Sequence, residues 1–587
     1  MFCFLQVFCS LFSGALIALA IPNEFLKLGN PLIGMFALVP FYFAVSNSKS
    51  YKRIFWLSFI HGAFTHLLSS FWLGNFHGLA AFTLGASDIG TGFVEAFVSL
   101  FLAYPFVKKQ AVQNSKIALY SIPLKIFWFA GIYTVYEWCK STGFLAYPWG
   151  TLSMTAFKWP LIMQIADITG PYGVTFIFAL FSAVLGEGIN LIKEIPLAKD
   201  FPFRAEAYFF TTRTLTAILI VTMCYGAFEY VKPRKVIKTM NTVLVQQNLD
   251  TYNSNEEEGI EISQKLTEQG IKEFTNQALD TDLVVWSEGI LAKSFSGAQG
   301  YYERFPRAKP LIPFIKKQKV PFIIGGSTVI DVDKHQYGNS ALLFDKRGIY
   351  KGSYIKLHLV PFAESIPFVE YEAVRKLVRK IAGFSYGWIG GKKYTLFEIP
   401  IQDPNAIDTE GLQVISLASS AKQQPPLSVM VSAPICFDDA FGHVCRGLFL
   451  SGSEVFMNIT NDSWSKTESA EYQHFVVAAY RAIEYRTTLA RATNSGFSAV
   501  VGPSGRIIKS LPLFEEAALA VEIPVYERKM TVYAKFGNWL PLCTILLVFI
   551  LIIVEKIQDI EQKEIEISVE LVKRRRRTAK KTSTSKV

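Results

Sequence analysis

Three reactive side chains each stand at or just beyond a short apolar, β-branched run. Glu288 follows Leu283-Val-Val-Trp-Ser287. Lys356 lies in Ser353-Tyr-Ile-Lys-Leu-His-Leu-Val-Pro-Phe-Ala-Glu364. Cys436 closes Val429-Met-Val-Ser-Ala-Pro-Ile-Cys436, and Phe437-Asp-Asp439 comes next. Strand ends are where α/β folds carry catalytic groups. A cysteine there is a nucleophile once it is a thiolate. A carboxylate can take the thiol proton as general base. An ammonium favours the thiolate and steadies an oxyanion growing on an attacked carbonyl. Taken singly, each residue also has a plainer reading: an inert buried thiol, a surface carboxylate, a solvated amine. Spacing alone leaves both readings open. The histidines (His61, His66, His77, His335, His358, His443 and His474) show no zinc-ligand spacing. His443 stands seven residues after Cys436, but a Cys–His pair is superfluous if Glu and Lys fill those roles.

The elements that would position these groups divide the chain in two. Of 587 residues, 51% are hydrophobic and 18% charged, against about 25% charged in ordinary soluble proteins. The 49 phenylalanines exclude a disordered chain, and single soluble cores stop growing at roughly 250–300 residues. A bilayer core needs about 20 apolar residues as helix. Residues 1–231 offer seven such runs, near 3–21, 31–47, 54–74, 90–107, 117–138, 171–192 and 212–231, and an eighth runs from Trp539 to Val554. The first lacks a basic leader and a small-residue cleavage site, so it reads as a span rather than a cleaved signal. With the N-terminus inside, Lys49, Lys52, Arg53, Lys108, Lys109, Lys116, Lys193, Lys199, Arg204 and Arg213 fall in cytoplasmic loops. Asn75 to Asp88, which has no Lys or Arg, falls outside. The organisation expected is therefore a membrane domain over 1–231, an extracytoplasmic domain over 232–534, an eighth span over 535–555 and a basic cytoplasmic tail over 556–587. Lys573, Arg574, Arg575, Arg576, Arg577, Lys580 and Lys581 in that tail, part of a net charge of +11, read as partners of anionic lipid. No nucleic-acid fold motif accompanies them. Seven scattered cysteines make no disulfide framework.

The insert alternates strands and helices. Thr242–Gln246, Leu283–Trp286, Phe322–Ile324, Leu342–Phe344, Val429–Ile435, Val455–Ile459 and Ala499–Val501 read as strands, and Glu258–Ala278 and Ala470–Arg486 as helices. That alternation predicts an α/β domain, with Gly502-Pro-Ser-Gly505 as a hairpin turn. After Glu364, apolar Val369, Val374, Leu377 and Ile381 mix with Arg375, Lys376, Arg379 and Lys380 before Phe384, Tyr386 and Trp388. This pattern suits either a surface dipping into headgroups or an ordinary packing helix.

The Glu, Lys and Cys in that order resemble the triad of the nitrilase (carbon–nitrogen hydrolase) superfamily. So do Val245-Gln-Gln-Asn248, Gly325-Gly-Ser327, Tyr337-Gly-Asn-Ser340, Asn458-Ile-Thr-Asn-Asp-Ser-Trp464 and Arg491-Ala-Thr-Asn-Ser-Gly496. Seven spans before such a domain and one after it resemble one branch, the apolipoprotein N-acyltransferases of bacterial inner membranes. Thr142-Gly-Phe-Leu-Ala-Tyr-Pro-Trp149, Gly170-Pro-Tyr-Gly173 and Tyr533-Ala-Lys-Phe-Gly537 agree, and the resemblance covers about residues 5–555. It implies an αββα sandwich beside eight transmembrane helices, with Glu288 as general base, Lys356 as oxyanion stabiliser and Cys436 as nucleophile. Glu364, Phe437 and Asp438 take supporting positions, and Phe384, Tyr386 and Trp388 become a candidate lipid entrance. Glu364 has a plainer role as a salt-bridge partner of Lys356, and both can hold. Three positions depart from the family pattern: Ser287 for Pro, Ala363 for Gly and Asp438 for Glu.

The reaction so implied is ping-pong acyl transfer without metal or organic cofactor. The sn-1 acyl chain of a phospholipid, with phosphatidylethanolamine the expected donor, passes to Cys436 as a thioester. It then passes to the α-amino group of a diacylglyceryl-modified apolipoprotein cysteine. Localisation would be the inner membrane, with the catalytic domain periplasmic. Three rival readings are a membrane-tethered amidase acting on a small amide, an inactive lipid-binding module, and a transporter. For the last, Glu95 and Glu137 are the intramembrane charges that stand out.

Overall fold

The computed structural model describes residues 2–76, 80–107, 115–194, 201–365, 371–374, 376, 380, 387–402 and 427–584. The apolar runs form the helices Phe2–Ala20, Tyr51–Ser69, Ala80–Leu102, Ser115–Lys140, Tyr172–Glu194, Phe201–Val231 and Trp539–Thr584. The run at 31–47 is instead two short helices, Pro31–Phe36 and Val39–Ser46, each with a proline in its first turn. A first-turn proline forfeits only an N–H that has no helical partner. Among the described residues, five helices are long and apolar enough to cross a membrane: Cys3–Ala20, Thr83–Leu102, Tyr172–Lys193, Arg204–Val231 and Trp539–Arg575. Tyr51–Ser69 and Ser115–Lys140 are helical as expected, but the first carries Lys52, Arg53, His61 and His66, and the second Lys116, Lys125, Glu137 and Lys140.

Several of these polar groups are satisfied between helices, as a low-dielectric setting requires. His61 Nδ1 lies 2.7 Å from Glu95, and its Nε2 lies 3.1 Å from Ser13 Oγ. Glu137 accepts from the Leu152 N–H at 2.6 Å and from Thr175 Oγ1 at 2.5 Å. The two carboxylates that stood out in the sequence therefore tie helices and loops together. The region read as a loop, 75–88, is already helical from Ala80.

The insert builds two six-stranded sheets. One has the order β12-β1-β2-β3-β4-β5 and the other β11-β10-β9-β8-β7-β6. The strands are β1 (Val236–Gln246), β2 (Leu283–Val285), β3 (Phe322–Asp331), β4 (Gln336–Phe344), β5 (Tyr350–Ile355) and β6 (Leu396–Pro400). They continue with β7 (Ser428–Ser432), β8 (Val455–Thr460), β9 (Thr488–Thr493), β10 (Ala499–Val501), β11 (Ile507–Ser510) and β12 (Ala517–Tyr526). β1–β2–β3 and β7–β8–β9 pair in parallel, and the flanking strands are antiparallel. The expected hairpin at Gly502–Gly505 joins β10 to β11.

Side chains alternate across a strand, and the first sheet divides accordingly. Val243, Val245, Val284, Trp286 and Ile324 pack with Ile260, Leu266 and Phe274 of helix Glu256–Asn276 and with Leu311, Ile312, Phe314 and Ile315. Leu244, Val285 and Ile323 face the other way, into the cluster that holds Val431, Ile459 and Leu489 of the second sheet.

Helix Glu468–Tyr485 locks this domain onto the membrane half. Gln473 donates to the carbonyls of Pro22 (2.9 Å) and Ser69 (3.0 Å) and accepts from Trp72 (3.2 Å). Tyr480 donates to Ser153 O at 2.7 Å. Just past the helix end, Arg486 pairs with Asp167 at 2.7 Å. The last helix runs unbroken to Thr584 rather than ending near 555. At 1.5 Å per residue, this carries Lys573 about 28 Å along the axis from Val554.

Candidate active site

β2 runs straight into Trp286-Ser-Glu288. Ser287, the residue standing where the family pattern has Pro, donates from its hydroxyl to Gln247 Oε1 at 2.8 Å and so ties this turn to the end of β1. β3 passes directly behind at Gly325, where a Cβ would come within 2.5 Å of Glu288 Cα, so only glycine fits. The Glu288 carboxylate accepts from Asn339 Nδ2 at 2.7 Å and from the Asn461 N–H at 2.9 Å.

Lys356 follows β5, and its backbone N–H donates to Asn339 O at 2.8 Å. Its Nζ lies 2.8 Å from Glu364 Oε2 and 3.6 Å from Glu288 Oε1. Glu364 is held in turn by the Val360 N–H (2.8 Å) and by Asn339 Nδ2 (2.9 Å). One amide, Asn339, therefore fixes both carboxylates around the ammonium.

Cys436 ends the segment after β7 with φ +46°, a left-handed conformation that costs a non-glycine residue on the order of 1–3 kcal/mol. The strain is held from below by Asp438. Its carboxylate accepts from the Ile435 N–H (3.2 Å), the His358 N–H (2.7 Å) and the Tyr354 hydroxyl (2.8 Å). The shorter acid thus clamps the Cys436 turn to the segment bearing Lys356. Phe437 stacks on Trp149 of the membrane half, with centroids 5.3 Å apart and planes 11° from parallel.

Burial raises the Glu288 carboxyl, with Lys356 pulling the other way. Burial opposes charge on Lys356, yet Glu364, Cys436 and Glu288 together hold it well above the usual ammonium range. The Cys436 thiol is pushed well up by burial and by Glu288, against the pull of Lys356. Burial also lifts Asp438 to about 6. These directions favour a neutral Cys436 thiol beside a charged Lys356, an arrangement in which an attacking sulfur would have to give up its proton as it attacks.

Glu288, Lys356, Cys436, Glu364, Phe437 and Trp388 line one cavity of about 780 Å³. The same cavity is lined by Thr83, Ser87, Gly90, Thr91 and Val94, one face of helix Ala80–Leu102, and by Trp72 and Leu73. Trp388 is placed by its N–H, which donates to Glu364 O at 2.8 Å. Phe384 and Tyr386 lie outside the described residues.

Sequence reasoning passed over a second constellation. The Cys436 thiol lies 3.9 Å from Asp462 Oδ1. The other Asp462 oxygen meets His474 Nδ1 at 2.7 Å, and His474 Nε2 meets Asp439 at 3.0 Å. Arg491 closes the chain on Asp439. Asp462 and Arg491 belong to the two downstream motifs, but nothing in the spacing linked them to His474. His443 turns out to face His358, with ring centroids 5.8 Å apart. The donor atoms of Cys436, Asp462 and His474 lie within 4.8 Å of one another. Both His474 ring nitrogens are already engaged by carboxylates, however, which leaves no lone pair for a metal.

Residues 13–184 match the apolipoprotein N-acyltransferase N-terminal domain family, and residues 243–530 match the carbon-nitrogen hydrolase family. Apolipoprotein N-acyltransferase 2 of Treponema denticola is 40% identical over 555 residues, covering 94% of this chain and 98% of the relative. Apolipoprotein N-acyltransferase of Borreliella burgdorferi is 31% identical over 575 residues, covering 97% and 99%. Among solved structures, a carbon-nitrogen hydrolase from Helicobacter pylori G27 aligns with TM-score 0.32 and 19% identity, covering 49% of this chain and 90% of that one. With the two domain families in this order and relatives alike along nearly the whole length, the chain belongs to the apolipoprotein N-acyltransferase family.

Proposed function

We propose that the chain N-acylates lipoproteins through a Cys436 thioester. One observation carries this reading: Glu288, Lys356 and Cys436 share a cavity whose wall continues onto an apolar helix of the membrane half. An acyl chain can lie along Val94, Thr91, Gly90 and Ser87 while its ester carbonyl reaches the sulfur. In the first half-reaction the S–C bond forms as Glu288 takes the thiol proton, and Lys356 balances the oxyanion. The ester C–O bond then breaks, and Glu288 returns the proton to the leaving lysophospholipid alcohol. In the second, the α-amine of a diacylglyceryl-cysteine attacks the thioester and sulfur departs. The donor in this reading is the sn-1 chain of phosphatidylethanolamine.

The supporting architecture is eight membrane spans with an αββα domain held on the periplasmic side of the inner membrane. It rests on the apolar helices, the loop charges and the two faces of the first sheet. Incubation with acyl-labelled phosphatidylethanolamine followed by intact mass measurement tests the chemistry. One acyl adduct on the wild type and none on Cys436→Ala is expected. Release of free fatty acid with no transfer to a lipopeptide amine would favour an amidase-like hydrolase and sink the proposal.

A further inference from the structure

A carboxylate 3.9 Å from the nucleophilic sulfur is a poor neighbour for the first half-reaction. It opposes the thiolate that must form there, and Asp462 is among the groups that hold the Cys436 thiol up. Its ionised state is nonetheless enforced. Burial works against the charge, but His474, and behind it Arg491, hold the Asp462 carboxyl below the ordinary range. His474 meets a carboxylate at each ring nitrogen, Asp462 at Nδ1 and Asp439 at Nε2. Because an ionised carboxylate can only accept, this setting favours the imidazolium, whose Nδ1 proton would fix the orientation of Asp462. Asp462, His474, Asp439 and Arg491 are all buried. Oxygen Oδ2 is occupied by His474, while Oδ1 is directed at the sulfur, in the wall of the reaction cavity.

We infer that Asp462 is the receptor for the α-ammonium group of the acyl acceptor, placing it beside the Cys436 thioester and favouring amine over water in the second half-reaction. The inference rests on the acyl-transfer reading above and assigns the acceptor a subsite within it. Once sulfur is acylated, it no longer carries developing charge. Among the described residues Oδ1 then faces the thioester with no cation in hydrogen-bond contact, His474 holding only Oδ2 and Lys356 acting from across the site. A primary ammonium supplies one and brings three donors to it. The ammonium enters on Asp462 and gives one proton to Glu288. The freed lone pair forms the C–N bond, the C–S bond breaks with its electron pair going to sulfur, and sulfur takes the second N–H proton. The third hydrogen remains on the amide, and Glu288 passes its proton to water. Water carries no charge for Asp462 to hold, so it gains no comparable placement.

The test separates the two half-reactions in the full-length protein. Wild type, Asp462→Asn and Asp462→Glu are first charged with acyl-labelled phosphatidylethanolamine. The thioester is then offered either a diacylglyceryl-cysteine peptide or hydroxylamine, which is uncharged at neutral pH. Asp462→Asn is expected to form the thioester at least as fast as wild type. Transfer to the peptide should fall roughly 10- to 100-fold, the worth of one charge-assisted contact, with KM for the peptide raised and thioester accumulating. Release by hydroxylamine should be unchanged, and Asp462→Glu should recover part of the peptide transfer. Equal peptide transfer by Asp462→Asn and wild type would overturn the inference while leaving the acyl-transfer reading intact. Parallel loss of thioester formation and hydroxylamine release would overturn it too, assigning Asp462 to the thiol or the fold. No thioester on the wild type would remove the acyl-transfer reading, and this inference with it.

Discussion

Cys436 holds a left-handed backbone that its own type does not favour, so chemistry and stability pull apart at this position. Replacing it by alanine or by glycine is expected to end turnover, but the two variants should differ in how they tolerate the φ of +46°. Cys436→Gly is expected to be more stable than Cys436→Ala by about 1 kcal/mol, since glycine adopts that conformation without a Cβ penalty. Urea titration of the two in detergent checks it, and equal midpoints would argue against stored strain. His474 gives a pH signature. Burial opposes its charge, but Asp462 and Asp439 raise it from 6.5 to about 9. A raised folded value means the stabilisation is complete below about 6.5 and is lost as pH climbs through about 9. The size of that shift corresponds to about 3 kcal/mol. Wild-type melting temperature should therefore fall between pH 7 and 9.5, and His474→Gln should flatten that limb. Glu288, Lys356 and Cys436 stood out in the sequence because each lies at the end of a recognisable run, and the structure brings them to one cavity. Asn339, which donates to both Glu288 and Glu364, was quoted only as part of a motif, because an amide carries no reactivity to flag it.

Among elements, the close pass of β3 behind Glu288 is the most exposed to mutation. In Gly325→Ala the new methyl would meet the Ser287–Gly289 backbone and push Glu288 off its two hydrogen bonds. A displacement of 1 Å at a reacting group costs on the order of 100-fold in rate, and that loss in thioester formation is expected with the protein still folded. A variant with wild-type kinetics would show that the base turn has slack. The strands legible in the sequence were those rich in Val, Ile and Leu, among them β1, β2, β3, β7 and β8. β9, Thr-Leu-Ala-Arg-Ala-Thr493, was not legible, because its buried neighbours on both sides rather than its own propensity make it a strand. β12 carries Pro524 in its interior, which argues against a central strand, and the structure places it at a sheet edge, where proline is tolerated. The run at 31–47 was read as one span because hydropathy does not register a break between two short helices.

At the scale of the whole molecule, the cavity that joins Glu288, Lys356 and Cys436 to helix Ala80–Leu102 makes a steric prediction. A Cβ added at Gly90 meets nothing within 4 Å, so Gly90→Ala should behave as wild type. Gly90→Phe places a ring in the cavity. It is expected to slow thioester formation at least 10-fold with a palmitoyl donor and much less with a short-chain donor. Equal losses with both donors, or none, would show that the chain does not lie along this face. Composition and the apolar runs revealed a greasy half and a mixed half. They gave no hint of how the halves meet, because Gln473, Tyr480 and Arg486 reach partners more than 300 residues away in sequence. One of those meetings has a practical corollary. Trp149, a membrane-half side chain, supplies the ring on which Phe437 rests beside Cys436. Excising 232–534 for expression as a water-soluble enzyme would leave that phenylalanine, and the strained turn it belongs to, without their backing. Such a fragment could keep its sheets and still lack a competent thiol.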